Sequence, residues 1–222
     1  MSGCCGGGIP SFERVFDRRA ADDDLRRLRK HGPPWSTRTL VDGLAAGMDL
    51  AGTSVIDIGA GVGAVHLGLL ERGARSATDV EGSSAYLDAA RVEAVRRGLD
   101  ERVRHVLGDA TVVGPELEPA DIVALDRVVC CYGDLAALLS AASSLARRRI
   151  GLVYPRDAWW ARAGVAISNP IMFRGTAGYR VHIHRVAAVA GLLRDAGFEP
   201  LGLRVARIWR VETWERVTAA SA

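Results

Sequence analysis

Four carboxylates stand where apolar runs give way to small residues. Asp57 lies within Val55-Ile56-Asp57-Ile58, Glu81 closes Ala77-Thr78-Asp79-Val80, Asp109 follows Val106-Leu107-Gly108, and Asp126 closes Ile122-Val123-Ala124-Leu125. An ionised carboxylate only accepts hydrogen bonds, so such a set suits a ligand rich in hydroxyl, amino or ammonium groups. The first of them runs into Gly59-Ala60-Gly61-Val62-Gly63. A glycine loop between a strand and a helix lets a nucleotide-like ligand lie against bare backbone, with N–H groups facing it. The glycines alone decide little, because Gly59-x-Gly61-x-x-Ala64 also satisfies the dinucleotide pattern. Asp57 is more selective: beside a pyrophosphate its charge is unfavourable, whereas a ligand carrying a sulfonium and an α-ammonium is attracted to it.

The other acids fit a nucleoside. Glu81, in the turn Glu81-Gly82-Ser83, can accept both hydroxyls of a ribose, with Asp79 as the competing choice, and Asp109 can accept from an adenine amino group. Taken in order, V-I-D-I-G-A-G-V-G, V-E-G-S, G-D-A and D-I-V-A-L-D resemble the motifs of class I S-adenosylmethionine-dependent methyltransferases over roughly residues 50 to 130. Glu81 stands where that family more often has Asp, and offers the same two oxygens. The resemblance implies S-adenosyl-L-methionine as cofactor, held by Asp57, Gly59, Ala60, Gly61, Glu81, Gly82, Asp109, Ala110, Asp126 and Arg127. Arg38 is a candidate partner for the cofactor carboxylate. The motifs also imply a methyltransferase acting on an O or N atom of a small organic molecule.

Methyl transfer from a sulfonium is an in-line displacement to which an enzyme contributes much by positioning, and a base is optional. The candidates for touching the acceptor are Tyr132, Arg156, His182 and His184. His182 and His184 alternate with Val181 and Ile183, so on a strand both point to one face, and either could serve as a base near neutral pH. Tyr132 has a packed tyrosine as its alternative, the two histidines could instead bind a metal or hydrogen-bond in the core, and Arg38 could be an ordinary exposed helix arginine. Leu125 to Tyr132, Tyr154-Pro155-Arg156 and Val181 to His184 are distantly similar to the magnesium-protoporphyrin O-methyltransferase branch. That similarity implies a carboxylate on a flat hydrophobic acceptor, with Arg156 as its clamp. The chain departs from it at Gly133 and Arg185, where proline is expected.

The elements that must position these residues alternate as strand and helix, which predicts a parallel sheet whose strand ends gather the four acids at one edge. The fold class is therefore α/β: a Rossmann-like, doubly wound, mostly parallel seven-stranded sheet with a C-terminal antiparallel hairpin. Helices are expected over 64–72, 84–98, 135–146 and 185–196, and the hairpin strands over 200–209 and 211–217. Residues 1–10 read as a flexible tail, and 11–222 as one domain. Within it, 11–50 form a helical cap, with one amphipathic helix from Phe12 to about Lys30 and a second capped by Ser36 or Thr37. Residues 155–180, with Trp159, Trp160, Met172, Phe173 and Tyr179, read as a substrate lid or as a helix packed on the core.

Composition narrows the partners. At 222 residues and 49% hydrophobic content the chain can bury a substantial core, and its formal charge is only +3, with Lys30 its sole lysine. Nucleic acid is not the expected partner: the Arg147-Arg148-Arg149 run reads as a solvated helix end, and no Asp/Asn-Pro-Pro-aromatic motif follows Leu125. Asn169-Pro170-Ile171-Met172 lies too late in the chain for that role. No apolar run reaches the ~20 residues that a membrane span needs, so the expected location is cytoplasmic, as a monomer or homodimer. The pairs Cys4-Cys5 and Cys130-Cys131 match no zinc spacing and are expected to be reduced thiols, with no metal site. Two rivals remain: an NAD-dependent oxidoreductase, and a non-catalytic protein that binds S-adenosylmethionine.

Overall fold

Parallel strands buried on both faces are near-continuous apolar runs, and residues 55–58, 120–125 and 150–154 supply such runs in the middle of the sheet. The computed structural model describes residues 9–175 and 179–217, and only the backbone of 9–11 and 171–175. The tail expected over residues 1–10 lies largely outside the described residues, as do Cys4 and Cys5; Ile9 and Pro10 begin a helix.

The strands are β1 (Ser54–Ile58), β2 (Ser76–Glu81), β3 (Val103–Leu107), β4 (Ala120–Asp126), β5 (Ala146–Pro155), β6 (Phe198–Ala206) and β7 (Trp209–Arg216). They lie in the order β3-β2-β1-β4-β5-β7-β6. The first five are parallel, and β7 runs antiparallel to both β5 and β6. The sheet is thus the Rossmann-like, mostly parallel one that the motifs predict, closed by the expected antiparallel hairpin. Because β1 and β4 sit in its middle, the loops after β1, β2 and β4 open on one edge.

The helices are α1 (Ile9–Val15), α2 (Arg18–His31), α3 (Trp35–Ala45), α4 (Ala64–Glu71), α5 (Ser84–Arg96), α6 (Ala110–Val113), α7 (Leu135–Leu145), α8 (Trp159–Gly175) and α9 (Val186–Asp195). One core layer packs α7 and α9 on the sheet around Ile150, Leu152, Phe198 and Trp214. The opposite layer packs α3 and α4 around Leu40, Leu44, Leu67 and Ile122. Gly151 on β5 permits the second contact, since a Cβ there would lie 2.6 Å from Leu40 Cδ1.

Three local expectations are corrected. The helix read from Phe12 to Lys30 is two helices, because Asp17 is extended (φ −77°, ψ 176°) and its carboxylate accepts from the Ala20 amide, starting α2 afresh. Neither Ser36 nor Thr37 caps α3. Pro34 precedes it, and both hydroxyl residues are buried inside the helix. Residues 181–184 pair with no strand. The Asn169 side chain instead takes both the N–H and the C=O of Val181, each at 2.9 Å, doing locally what a ladder would do.

Candidate active site

The loop after β1 turns back through backbone hydrogen bonds, from the Gly59 amide to Val80 (2.7 Å) and from the Gly63 amide to Ala60 (2.9 Å). Gly59 is left-handed (φ 62°), and a Cβ there would lie 2.6 Å from Val128 Cγ2, so only a bare backbone fits between the β1 and β4 loops. The N-cap of α4 is Gly63, which has no side chain to cap with. Asp57, reaching from β1, supplies the missing acceptor: its Oδ2 accepts from the His66 amide (3.2 Å) and faces the His66 Nδ1 (3.0 Å). Both side chains are fully buried.

Glu81 ends β2 directly across the loop. Its Oε2 accepts from the Gly61 amide (2.9 Å) and its Oε1 from the Ser83 amide (3.0 Å). Burial, helped by the charge of Asp79, pushes its pKa up to about 7 against the pull of the surrounding amides. Asp79 itself is fully buried and meets His105 Nδ1, its in-register neighbour on β3, at 2.8 Å. Of the two acids weighed for a ribose, Glu81 therefore borders open space and Asp79 does not.

That space is a cavity of ≈670 Å³ at the strand ends. Gly59, Ala60, Gly61, Glu81, Gly82, Ala110, Asp126, Arg127, Tyr132 and Arg38 all reach its wall. Asp57 lies beneath the wall instead of on it. Asp109 caps α6 through the Thr111 amide (2.9 Å) and accepts from the Tyr132 hydroxyl (2.9 Å), leaving its neighbour Ala110 on the wall. Arg156, His182 and His184 do not line the cavity. The His182 and His184 rings stack at 5.9 Å, and His184 Nε2 donates to the Tyr132 carbonyl at 2.8 Å.

Burial, with the charge of Asp109, raises the Tyr132 phenol above its ordinary range, so it is neutral at physiological pH. Burial likewise lowers His182, aided by the charge of His184. Arg127 takes a left-handed backbone (φ 63°) immediately after β4, which turns its carbonyl toward the thiols of Cys130 (3.3 Å) and Cys131 (3.6 Å). Its guanidinium lies 5.9 Å from the Trp209 ring and 3.3 Å from Asp126. Asp126 also accepts from the Thr37 hydroxyl, which ties the cap helix α3 to the end of β4.

Phe12, Phe16 and Tyr86, which sequence reasoning missed, join Tyr132 on the wall. Phe12 packs on Tyr132 (5.9 Å), and Phe16 meets Tyr86 (5.8 Å) and Tyr179 (5.8 Å) edge-on. The Ser83 hydroxyl donates to the Phe16 carbonyl (2.6 Å) and the Tyr86 hydroxyl to Asp24 (2.7 Å), pinning α1 and α2 over the opening. The available signal was Asp17, an N-cap residue type that separates Phe12 and Phe16 from the helix starting at Arg18. The wall mixes carboxylates (Asp24, Glu81, Asp126) with guanidiniums (Arg27, Arg38, Arg127), an arrangement suited to a zwitterion. A glycine cradle too tight for a Cβ, a desolvated acid with free lone pairs and a two-signed rim together fit S-adenosylmethionine.

Comparison with known proteins agrees with this geometry. Residues 56–149 match the family model described as a methyltransferase domain. Ribosomal protein L11 methyltransferase of Klebsiella pneumoniae (strain 342) is 33% identical over 94 residues, which is 42% of this chain and 31% of that protein, so the match spans about a third of the relative's length. Among solved structures, magnesium protoporphyrin IX methyltransferase from Synechocystis PCC 6803 with bound SAH is 21% identical, with a TM-score of 0.73, covering 93% of this chain and 99% of that one. An O-methyltransferase family protein from Burkholderia thailandensis is 20% identical, with a TM-score of 0.72, covering 92% and 62%. The chain thus resembles class I S-adenosylmethionine-dependent methyltransferases in its motifs, its domain match and its fold. S-adenosyl-L-methionine is the cofactor that goes with that resemblance.

Proposed function

We propose that this protein is an S-adenosylmethionine-dependent methyltransferase acting on an O or N atom of a small organic molecule. The observation that carries the reading is the Gly61–Glu81 hydrogen bond, which places the glycine loop and the acid of β2 on one cavity. In this reading Glu81 accepts the ribose hydroxyls, Ala110, backed by Asp109, faces the adenine end, and the bare backbone from Gly59 to Gly61 lies against the methionyl part. Arg38, on the exposed rim, meets the cofactor carboxylate, with Asp126 and Arg127 beside it. The bound cofactor supplies a methyl group on a cationic sulfur.

What the chain then contributes is mainly alignment and exclusion of water. Neither histidine candidate borders the cavity, and the Tyr132 phenol is held neutral, so an acceptor that arrives ionised or as a free amine suits this wall best. Phe12, Phe16 and Tyr86 offer ring faces and edges to a flat, apolar acceptor. Incubating the protein with methyl-labelled S-adenosylmethionine and a panel of aromatic carboxylates, phenols and amines tests this. Transfer of label to a panel member supports the reading. Binding of the donor with no transfer to any acceptor favours the non-catalytic rival.

A further inference from the structure

Beneath the loop lies a group of buried titratable side chains that the proposed reaction does not use. Asp57 and Asp79 face each other in register on β1 and β2. Each meets a histidine through one oxygen, Asp57 with His66 (3.0 Å) and Asp79 with His105 (2.8 Å). The other oxygen of each acid, and the Nε2 of each histidine, is buried with no hydrogen-bond partner. The His66 ring also fills the underside of the glycine loop: a Cβ on Gly63 would lie 2.9 Å from its Cε1 and 3.0 Å from its Nε2. Resting on the proposed donor site, we infer that His66 is a positioning residue, whose ring, held by Asp57 beneath Gly63, sets the shape of the glycine loop that receives S-adenosylmethionine.

The surroundings favour a proton on that ring. Burial, the largest influence, and Arg97, at the C-cap of α5, both act against it, but the hydrogen bond to Asp57 and the charges of Asp79 and Asp57 outweigh them and hold His66 above its ordinary range. Asp57 is itself raised, by burial first and by Asp79, although its bonds to His66 pull the other way. From β3, His105 faces this group through Asp79. A neutral His66 would keep its place and its Nδ1–H bond to Asp57, but with one compensating proton fewer between the buried Asp57 and Asp79 that bond weakens, and the ring beneath the loop is held less firmly. Donor affinity should therefore fall as pH rises above the ordinary histidine range.

The test compares wild type with His66→Asn, whose amide can keep the Nδ1 hydrogen bond to Asp57 but cannot titrate, and with His66→Ala, which removes both. Affinity for S-adenosylhomocysteine is measured by calorimetry between about pH 6 and pH 8.5, a window bracketing histidine, with circular dichroism to check the fold. Glu81 and the ligand's own ammonium are common to all three proteins and cancel in affinity ratios. The inference expects the wild-type affinity, relative to His66→Asn, to fall by about fivefold or more across that range. It also expects folded His66→Ala to bind more weakly at every pH. A constant wild-type to His66→Asn ratio, or unweakened binding by His66→Ala, overturns it while leaving the donor site intact. Absence of binding by wild type at every pH would instead overturn the donor site as well.

Discussion

Glu81 accepts a hydrogen bond from the amide of Gly61 at 2.9 Å, so the acid that ends β2 also fixes the turn that ends β1. The same carboxylate is desolvated, with its pKa pushed up to about 7. Between its ordinary value of 4.5 and about 7 the folded state holds more protons than the unfolded one, so its ionisation lowers stability as pH rises through that window. Glu81→Gln should therefore raise stability above pH 7 by up to about 3 kcal/mol and have little effect below the ordinary range. The same substitution should weaken S-adenosylhomocysteine binding by about 1–3 kcal/mol, through loss of charged acceptors. Thermal melts across pH and calorimetry measure the two effects. A variant that lost stability at high pH would contradict the burial of an ionised group here.

Gly59→Ala forces a Cβ into a left-handed residue 2.6 Å from Val128 Cγ2. Strain at such a position and the displaced contact should together cost about 1–3 kcal/mol of stability. Donor binding should fall further than stability does, because the loop itself must shift. Denaturant unfolding beside calorimetry separates the two.

Tyr132→Phe removes the hydroxyl that donates to Asp109, while Asp109 keeps its bonds to Thr111. Donor affinity should drop by about tenfold or less, the size of one ordinary hydrogen bond. The pH profile of methyl transfer should keep its shape, since the phenol is held neutral in wild type. Loss of an alkaline limb in the variant would show that the phenol serves as a base after all.

His184→Ala removes the ring that donates to the Tyr132 carbonyl, and should cost about 1 kcal/mol of stability. His182→Ala removes a half-buried ring packed beside Gly133. Because neither ring borders the cavity, donor affinity should be unchanged in both variants. A collapse of kcat at constant donor affinity in His182→Ala would place that ring at the acceptor instead.

The parts of this site that the sequence shows are those encoded in short contiguous runs. The glycine loop, the acid-Gly-Ser turn and the apolar strands each carry their own backbone chemistry, so their order and sheet follow. Asp57 is different. Its spacing before Gly59 points to a ligand contact, but the carboxylate is taken by His66 across a helical turn, a partnership that depends on how α4 leaves the loop. The aromatic wall was hidden because Phe12 and Phe16 reach Tyr86, Tyr132 and Tyr179 only through tertiary packing. Alternation is no guide at Val181 to His184, where the Asn169 side chain holds Val181 and the Cys130 carbonyl holds the His182 amide, with no neighbouring strand.

The most direct measurement is calorimetric titration of the protein with S-adenosylhomocysteine, with NADH run alongside. The account predicts saturable binding of S-adenosylhomocysteine that Glu81→Ala weakens by about 1–3 kcal/mol, and no competition by NADH. Binding of NADH alone, or S-adenosylhomocysteine binding untouched by Glu81→Ala in a folded protein, would contradict it.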